Sequence, residues 1–359
     1  MDICLSSGST PQYKRDILRA IESPAGAWLQ FRYRKTWLSA DVQRAVLSRP
    51  FLPRPAIIAY VDQTNSSKQP EFVPLRSALI TDVASHGTTV SLQLELGDFV
   101  FDAAHTAEFN SFLQSFPDSP HWIDGKTKGL YWLASDGCPK LPRVEDLTAF
   151  EQIIDNVGNR SDFATESLFV YLRQICDLDR HRRVTASRGE FALKPNGVYD
   201  IHVYQFHPRD MGKGMLEFAS GTPHIAFRSN ERLEFTSRYD FRRLSFTVGS
   251  PLLSLAYLFS FPEERRVRTP RGTISVSRVS TQGIDARQQK DWDLDLRFQI
   301  EPDSETTIMT GVFAGILIAV PSAITLASTG KWNWPAAVVI FGASVLAGIF
   351  AVIGIKKPL

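Results

Sequence analysis

Two apolar stretches without a charged side chain, residues 306–330 and 332–355, close the sequence and are separated only by Lys331. A helix rising ~1.5 Å per residue crosses a bilayer core of ~30 Å in about 20 residues. Each stretch meets that length, so the sequence predicts a folded body followed by a two-helix transmembrane hairpin. Lys331, Trp332, Asn333 and Trp334 form its short outer turn, with Trp332 and Trp334 at interfacial depth. Lys356 and Lys357 then lie on the same side as the body, as the positive-inside bias prefers.

The hairpin also carries a packing pattern. Lipid offers no hydrophobic drive for helices to associate, so small residues mark where backbones approach. Gly311, Gly315, Ala319, Ala323 and Ala327 recur every fourth position of the first helix. Ala343, Ala347 and Ala351, with Ser344 and Gly348 beside them, form a second small-residue strip. The two strips suit closure of one hairpin or packing of one hairpin against another. Pro321 predicts a kink, and the lack of ionisable groups within either span argues against an ion relay.

Composition matters most once this end is set aside. The hairpin segment holds three lysines and no acid, leaving 37 basic against 38 acidic groups in the first 305 residues. A near-neutral body argues against general nucleic-acid binding. Cys4, Cys138 and Cys176 are scattered and odd in number, which supports neither a disulfide framework nor a zinc site. The first residues lack a basic segment followed by an apolar core, so no signal peptide is expected. The body and the C-terminus are therefore expected in the cytoplasm, at an inner membrane if the source is bacterial.

The body is expected to be mostly β. Residues 1–145 read as an N-terminal α+β domain with a bent sheet or barrel. Its first helix opens with Thr10 as N-cap and Pro11 as first residue, and buries Ile17, Leu18 and Ile21. Strands are predicted at 28–33, 56–61, 72–83 and 88–101, the last alternating Val90, Leu92, Leu94 and Leu96. A loop at 62–69 and a short helix at 103–116 complete this part. Residues 146–182 read as a helical linker, with helices at 146–156 and 161–179. The second helix rests on Phe163, Leu168, Tyr171, Leu172 and Ile175. Residues 183–300 carry many short strands between Gly/Pro/Asn turns and predict a β-sandwich-like domain. Residues 301–305 are a short link that couples it to the hairpin.

Enzymatic signatures are missing: the sequence has no P-loop, nucleophile elbow, HExxH or strand-linked GxGxxG. No catalytic residue, metal ligand or cofactor is assigned. His202 and His207, five apart in one strand, point to opposite faces. Asp291, Asp293 and Asp295 alternate with Trp292, Leu294 and Leu296, which predicts a half-buried strand whose wet face pairs with arginines; a divalent ion bridging the acids is the alternative. Two arginine clusters are candidate binders of an anionic ligand, a nucleotide or a lipid headgroup: Arg180, Arg182 and Arg183, and Arg265, Arg266 and Arg268 beside Arg271. The competing role is salt bridging to nearby acids, with charge compensation at a helix C-terminus. Trp28, Tyr33, Trp37 and Trp132 either stack bases or fill the core.

Three functions compete. The first is a cytosolic sensor whose hairpin self-assembles and perturbs the membrane. By architecture alone this resembles bacterial immune effectors that disrupt the inner membrane, and antiviral defence is the setting that resemblance implies. The second is a passive anchor whose β domains recruit a cytosolic protein partner. The third is an enzyme with an unrecognised site.

Overall fold

The computed structural model describes residues 2–8, 10–39, 42–44, 52–62, 70–101, 103–115, 131–134, 137–164, 166, 168–209, 214–250, 269–280 and 289–301. Both apolar stretches, the 63–69 loop, the apolar run 254–261 and Arg265, Arg266 and Arg268 lie outside them. Among the described residues no helix is long and apolar enough to cross a membrane. What is described is mostly β, with few helices.

The first sheet has the order β2-β5-β4-β3-β1-β6. Its strands are β1 (Asp2–Ser7), β2 (Trp28–Arg34), β3 (Arg54–Asp62), β4 (Glu71–His86), β5 (Thr89–Phe99) and β6 (Tyr131–Ala134). β1 runs parallel to β3, and the other pairs are antiparallel. The register of β4 on β5 shifts twice, between Arg76 and Ala78 and between Ile80 and Asp82. Extra residues on one strand bend it, so these shifts mark bends in the sheet; one of the protein's sheets is a half-barrel.

Helix α1 (Pro11–Glu22) lies on one face of this sheet and α2 (Ala103–Gln114) covers the other. With both faces covered, every residue of β1 is buried. α1 begins as expected, with Thr10 extended and Pro11 first, although the Thr10 side chain makes no capping hydrogen bond.

Helix α3 (Asp146–Val157) agrees with the first linker helix and is capped by Glu145, which accepts from the Thr148 backbone amide at 2.8 Å. The predicted helix at 161–179 is not formed. Residues Ser161–Phe163 make a single 3-10 turn, and Val170–Asp177 is strand β7. Its pairing with β11 (Val198–Phe206) shifts register between His202 and Val203, so Arg173 is an extra residue. The bulge spaces inward-facing Leu172 and Ile175 three apart instead of two, which imitates a helix face.

Two further sheets follow. One has the order β14-β12-β16-β17-β10-β9, built from β9 (Ala186–Ser187), β10 (Glu190–Leu193), β12 (Gly214–Ser220), β14 (Arg232–Phe235), β16 (Arg271–Ser280) and β17 (Gln289–Ile300). The other runs β13-β15-β11-β7-β8 and adds β8 (Arg182–Arg183), β13 (Ile225–Phe227) and β15 (Tyr239–Val248). They are sandwich-like: Phe246 of β15 meets Phe298 of β17 with ring centroids 5.8 Å apart. The 193–199 turn is closed by Tyr199, whose hydroxyl accepts from the Lys194 amide at 2.7 Å.

One continuous cluster of buried apolar side chains runs from Cys4, Ile58 and Leu92 through Ile17 and Ile21 to Phe150, Leu172, Ile201 and Phe298. It includes residues on both sides of the boundaries expected at 145 and 182. Buried charges reinforce that junction. Arg278 of β16 donates to the Leu168 carbonyl at 2.6 Å, pairs with Glu166, and lies 4.0 Å from Glu22 of α1. Lys14 of α1 pairs with the same Glu166.

A candidate ligand cleft along the first helix

α1 buries Ile17, Leu18 and Ile21, so its remaining face carries Gln12, Arg15 and Arg19. β2 is an edge strand beside α1. Alternation puts Leu29, Phe31 and Tyr33 into the core and leaves Trp28, Gln30, Arg32 and Arg34 on the outside. Two unremarkable patterns, one helical and one extended, thereby bring four arginines to the walls of one cleft. β17 supplies the third wall with Asp293, Leu294 and Asp295.

The inner part is a half-open cavity of about 240 Å³ lined by Gln12, Arg15, Asp16, Arg19, Trp28, Leu29, Gln30, Arg32 and the β17 residues. Arg19 is committed: it donates to the Asp293 carbonyl and carboxylate, both at 2.6 Å. Asp295 accepts from the Ser275 hydroxyl at 2.6 Å. The two members of the acidic strand face whose side chains are described therefore have partners, Asp293 an arginine as expected and Asp295 a hydroxyl instead. Trp28 is held between the Arg297 guanidinium, 3.6 Å from its ring centroid, and the β9–β10 turn. Gly189 has φ +75° in that turn, and a Cβ there would sit 2.7 Å from the Trp28 Cβ. Only glycine suits both demands.

Arg15 and Arg32 make no hydrogen bond or ion pair among the described residues, and both are exposed. Beneath them Asp16 is buried, and burial pushes its carboxyl up to about 7 against the pull of Arg19, Arg32 and Arg15. Raising this group's pKa means the fold favours its protonated form. Its contribution to stability is full below about pH 4 and is lost as pH rises through 7. Asp16→Asn is therefore expected to gain on the parent chain between pH 4 and 7 and hold that gain at pH 8. Denaturant midpoints across that range test this. A stability difference that is flat with pH would contradict it.

The cleft continues past the start of α1 into an opening of about 570 Å³ lined by Thr10, Pro11, Gln12, Tyr13, Arg15, Arg34 and Trp37. Among the described residues no acid lines this end. The Arg34 guanidinium lies 5.4 Å from the Trp37 ring centroid, and Tyr13 meets Trp37 edge-on at 6.4 Å. Burial raises the Tyr13 hydroxyl pKa, opposed by Arg34.

The sequence-predicted arginines sit elsewhere. Arg180, Arg182 and Arg183 are exposed on the β7–β8 hairpin, not at the end of a helix, so helix-end charge compensation does not apply. Arg180 stays near Asp177, with Nε to Oδ2 at 3.9 Å. Arg271, beside the second cluster, pairs with Glu190 at 2.8 Å. Of the four aromatics, Tyr33 and Trp132 are core residues, whereas Trp28 and Trp37 line the cleft. His202 bonds Gln174 at 3.1 Å, and His207, just past the end of β11, bonds the Glu166 carbonyl at 3.0 Å.

No family model matches the chain, and no curated protein matches it. Among solved structures 26 chains match. One of them is WR4, a C. elegans MSP family member, at 7% identity and a TM-score of 0.21, over 31% of this chain and 92% of that one. At that score the likeness assigns neither fold nor function.

Proposed function

We propose that the chain is a membrane-tethered sensor whose folded body occupies the cytoplasm and whose C-terminal hairpin self-assembles to perturb the bilayer. The observation that carries the reading is the pair of uncharged apolar stretches with small residues at fourfold spacing in the first. A second feature supports it. β17 contributes Asp293 and Asp295 to the cleft and ends at Ile300, only five residues before the first apolar stretch begins. An event in the cleft and the orientation of the hairpin thus share one strand.

Replacing Gly315 and Ala319 together by leucine is the test. Those side chains fill the shallow groove without reducing apolarity, so insertion is expected to persist while assembly is lost. Dye release from vesicles and crosslinked oligomers should both fall to background. A parent protein that inserts but never permeabilises vesicles or forms oligomers would reject the reading. Passive anchoring, with the β body recruiting a cytosolic protein, would then stand in its place.

A further inference from the structure

We infer that the open end of the cleft, between Arg15, Arg34 and Trp37, binds a phosphate-bearing ligand that carries a planar ring, the chemistry of a nucleotide. The inference rests on the sensor reading only for calling this ligand a signal; the site itself stands on the folded body.

The argument is one of unmatched charge in a concave place. In the inner cavity Asp293 and Asp16 are both taken by Arg19, at 2.6 and 3.7 Å, and Asp295 accepts from Ser275. Among the described residues Arg15 and Arg32 therefore face the cavity without a counter-charge bonded to them. Towards the opening Arg34 joins Arg15, and no acid among the described residues lines that end. Three guanidinium groups along a continuous cleft suit an anion with several oxygens, because each can donate two parallel bonds to a phosphate. The β7–β8 arginines have the same chemistry but stand on an exposed hairpin and line neither cavity.

Ring recognition follows from the aromatic part of the same lining. Trp37 is half-buried and fixed edge-on by Tyr13, so it offers a positioned aromatic surface beside the arginines. A planar ring can stack there or on the Arg34 guanidinium that lies across it, and such stacking tolerates any base. A lipid headgroup shares the phosphate but has no aromatic ring to use this wall.

The full chain in zwitterionic nanodiscs should be titrated calorimetrically with AMP, GMP, ribose 5-phosphate, inorganic phosphate and inositol trisphosphate. The mononucleotides are expected to bind best, ahead of ribose 5-phosphate by about tenfold from stacking. Arg15→Gln and Arg34→Gln are each expected to weaken AMP binding by roughly tenfold or more. Both sites are exposed, and unchanged thermal unfolding would show that the variants fold. Four results would overturn the proposal. One is no mononucleotide binding below about 1 mM, and another is affinity unmoved by either substitution. A third is tighter binding of inorganic phosphate or inositol trisphosphate than of AMP. The fourth is loss of binding that follows Arg182→Gln and Arg183→Gln instead. Nucleotide binding without vesicle permeabilisation would reject the assembly reading alone, and permeabilisation without binding would reject this one alone.

Discussion

Arg278→Met, made alone, is expected to destabilise the folded body by roughly 3–5 kcal/mol, the usual cost of breaking a buried ion pair by removing one partner. Arg278 is 2% exposed and Glu22 is fully buried, so the lost cation leaves a carboxylate with no access to water. The Leu168 carbonyl loses its donor at the same time. The cost should fall mostly on the junction between α1 and the sandwich, because Arg278 belongs to β16 and Glu22 to α1. Glu22→Gln together with Arg278→Met should recover most of the stability, since Glu166, the other carboxylate beside Arg278, keeps Lys14 as its partner. An amide at position 22 can still accept from the Val170 backbone, which the carboxylate now does at 3.1 Å, and a buried pair replaced as a unit is often neutral. Denaturant unfolding of the three variants under the same conditions measures this. A single variant within about 1 kcal/mol of the parent would mean that the pair contributes nothing to docking.

Arg76→Met is expected to cost about as much, for a different reason. Arg76 is fully buried, and no carboxylate pairs with it at salt-bridge distance among the described residues. Its guanidinium donates to the Ser23 carbonyl at 2.5 Å, to Ala20 at 3.4 Å and to Gly97 at 3.0 Å, and lies 4.2 Å from the Phe99 ring centroid. Ala20 lies in the last turn of α1 and Ser23 follows it, where carbonyls lack intrahelical partners and the helix dipole favours a cation. Burial pulls the arginine pKa down from its usual value. Methionine fills the space but orphans three carbonyls, at about 1–3 kcal/mol for each one left dry. The loss should amount to roughly 3–5 kcal/mol once partial relaxation is allowed. Amide exchange should quicken first at Ser23, whose N–H bonds the Arg19 carbonyl at 3.1 Å. Exchange that quickens evenly over the whole body would argue against a local clamp. Since α1 carries Arg15 and Arg19, loosening its end should also widen the cleft.

Local patterns proved legible where one face is wet. β2 and β5 alternate cleanly because one face of each packs on the core, and α1 announces itself through Pro11 and its apolar spacing. β1 gave no such signal: buried on both faces between β3 and β6, it has no polar side to alternate with. β7 gave a misleading one, since a single bulged residue turned its inward spacing from two to three. The cleft was hidden for a third reason. Arg15 and Arg19 read as an ordinary helix surface, and Arg32 and Arg34 as an ordinary strand edge. Only the packing of α1 beside β2, and of both against β17, makes them neighbours. Runs such as Arg180-His181-Arg182-Arg183 catch the eye in a sequence, yet here adjacency in the chain produced an exposed hairpin.

β17 has a mechanical meaning that its role as a cleft wall does not convey. It lies inside its sheet, antiparallel to β16 over nearly its whole length and parallel to β10 over Phe298–Ile300. The Glu301 amide still donates to the Leu193 carbonyl at 2.7 Å. A pull on the chain beyond Glu301 runs along the strand, across the direction of its ladder bonds. Those bonds are then loaded together in shear instead of being unzipped one by one from an edge. Tension or torque arriving from the C-terminal segment should therefore move the sheet as a unit and reach Asp293 before any strand peels away.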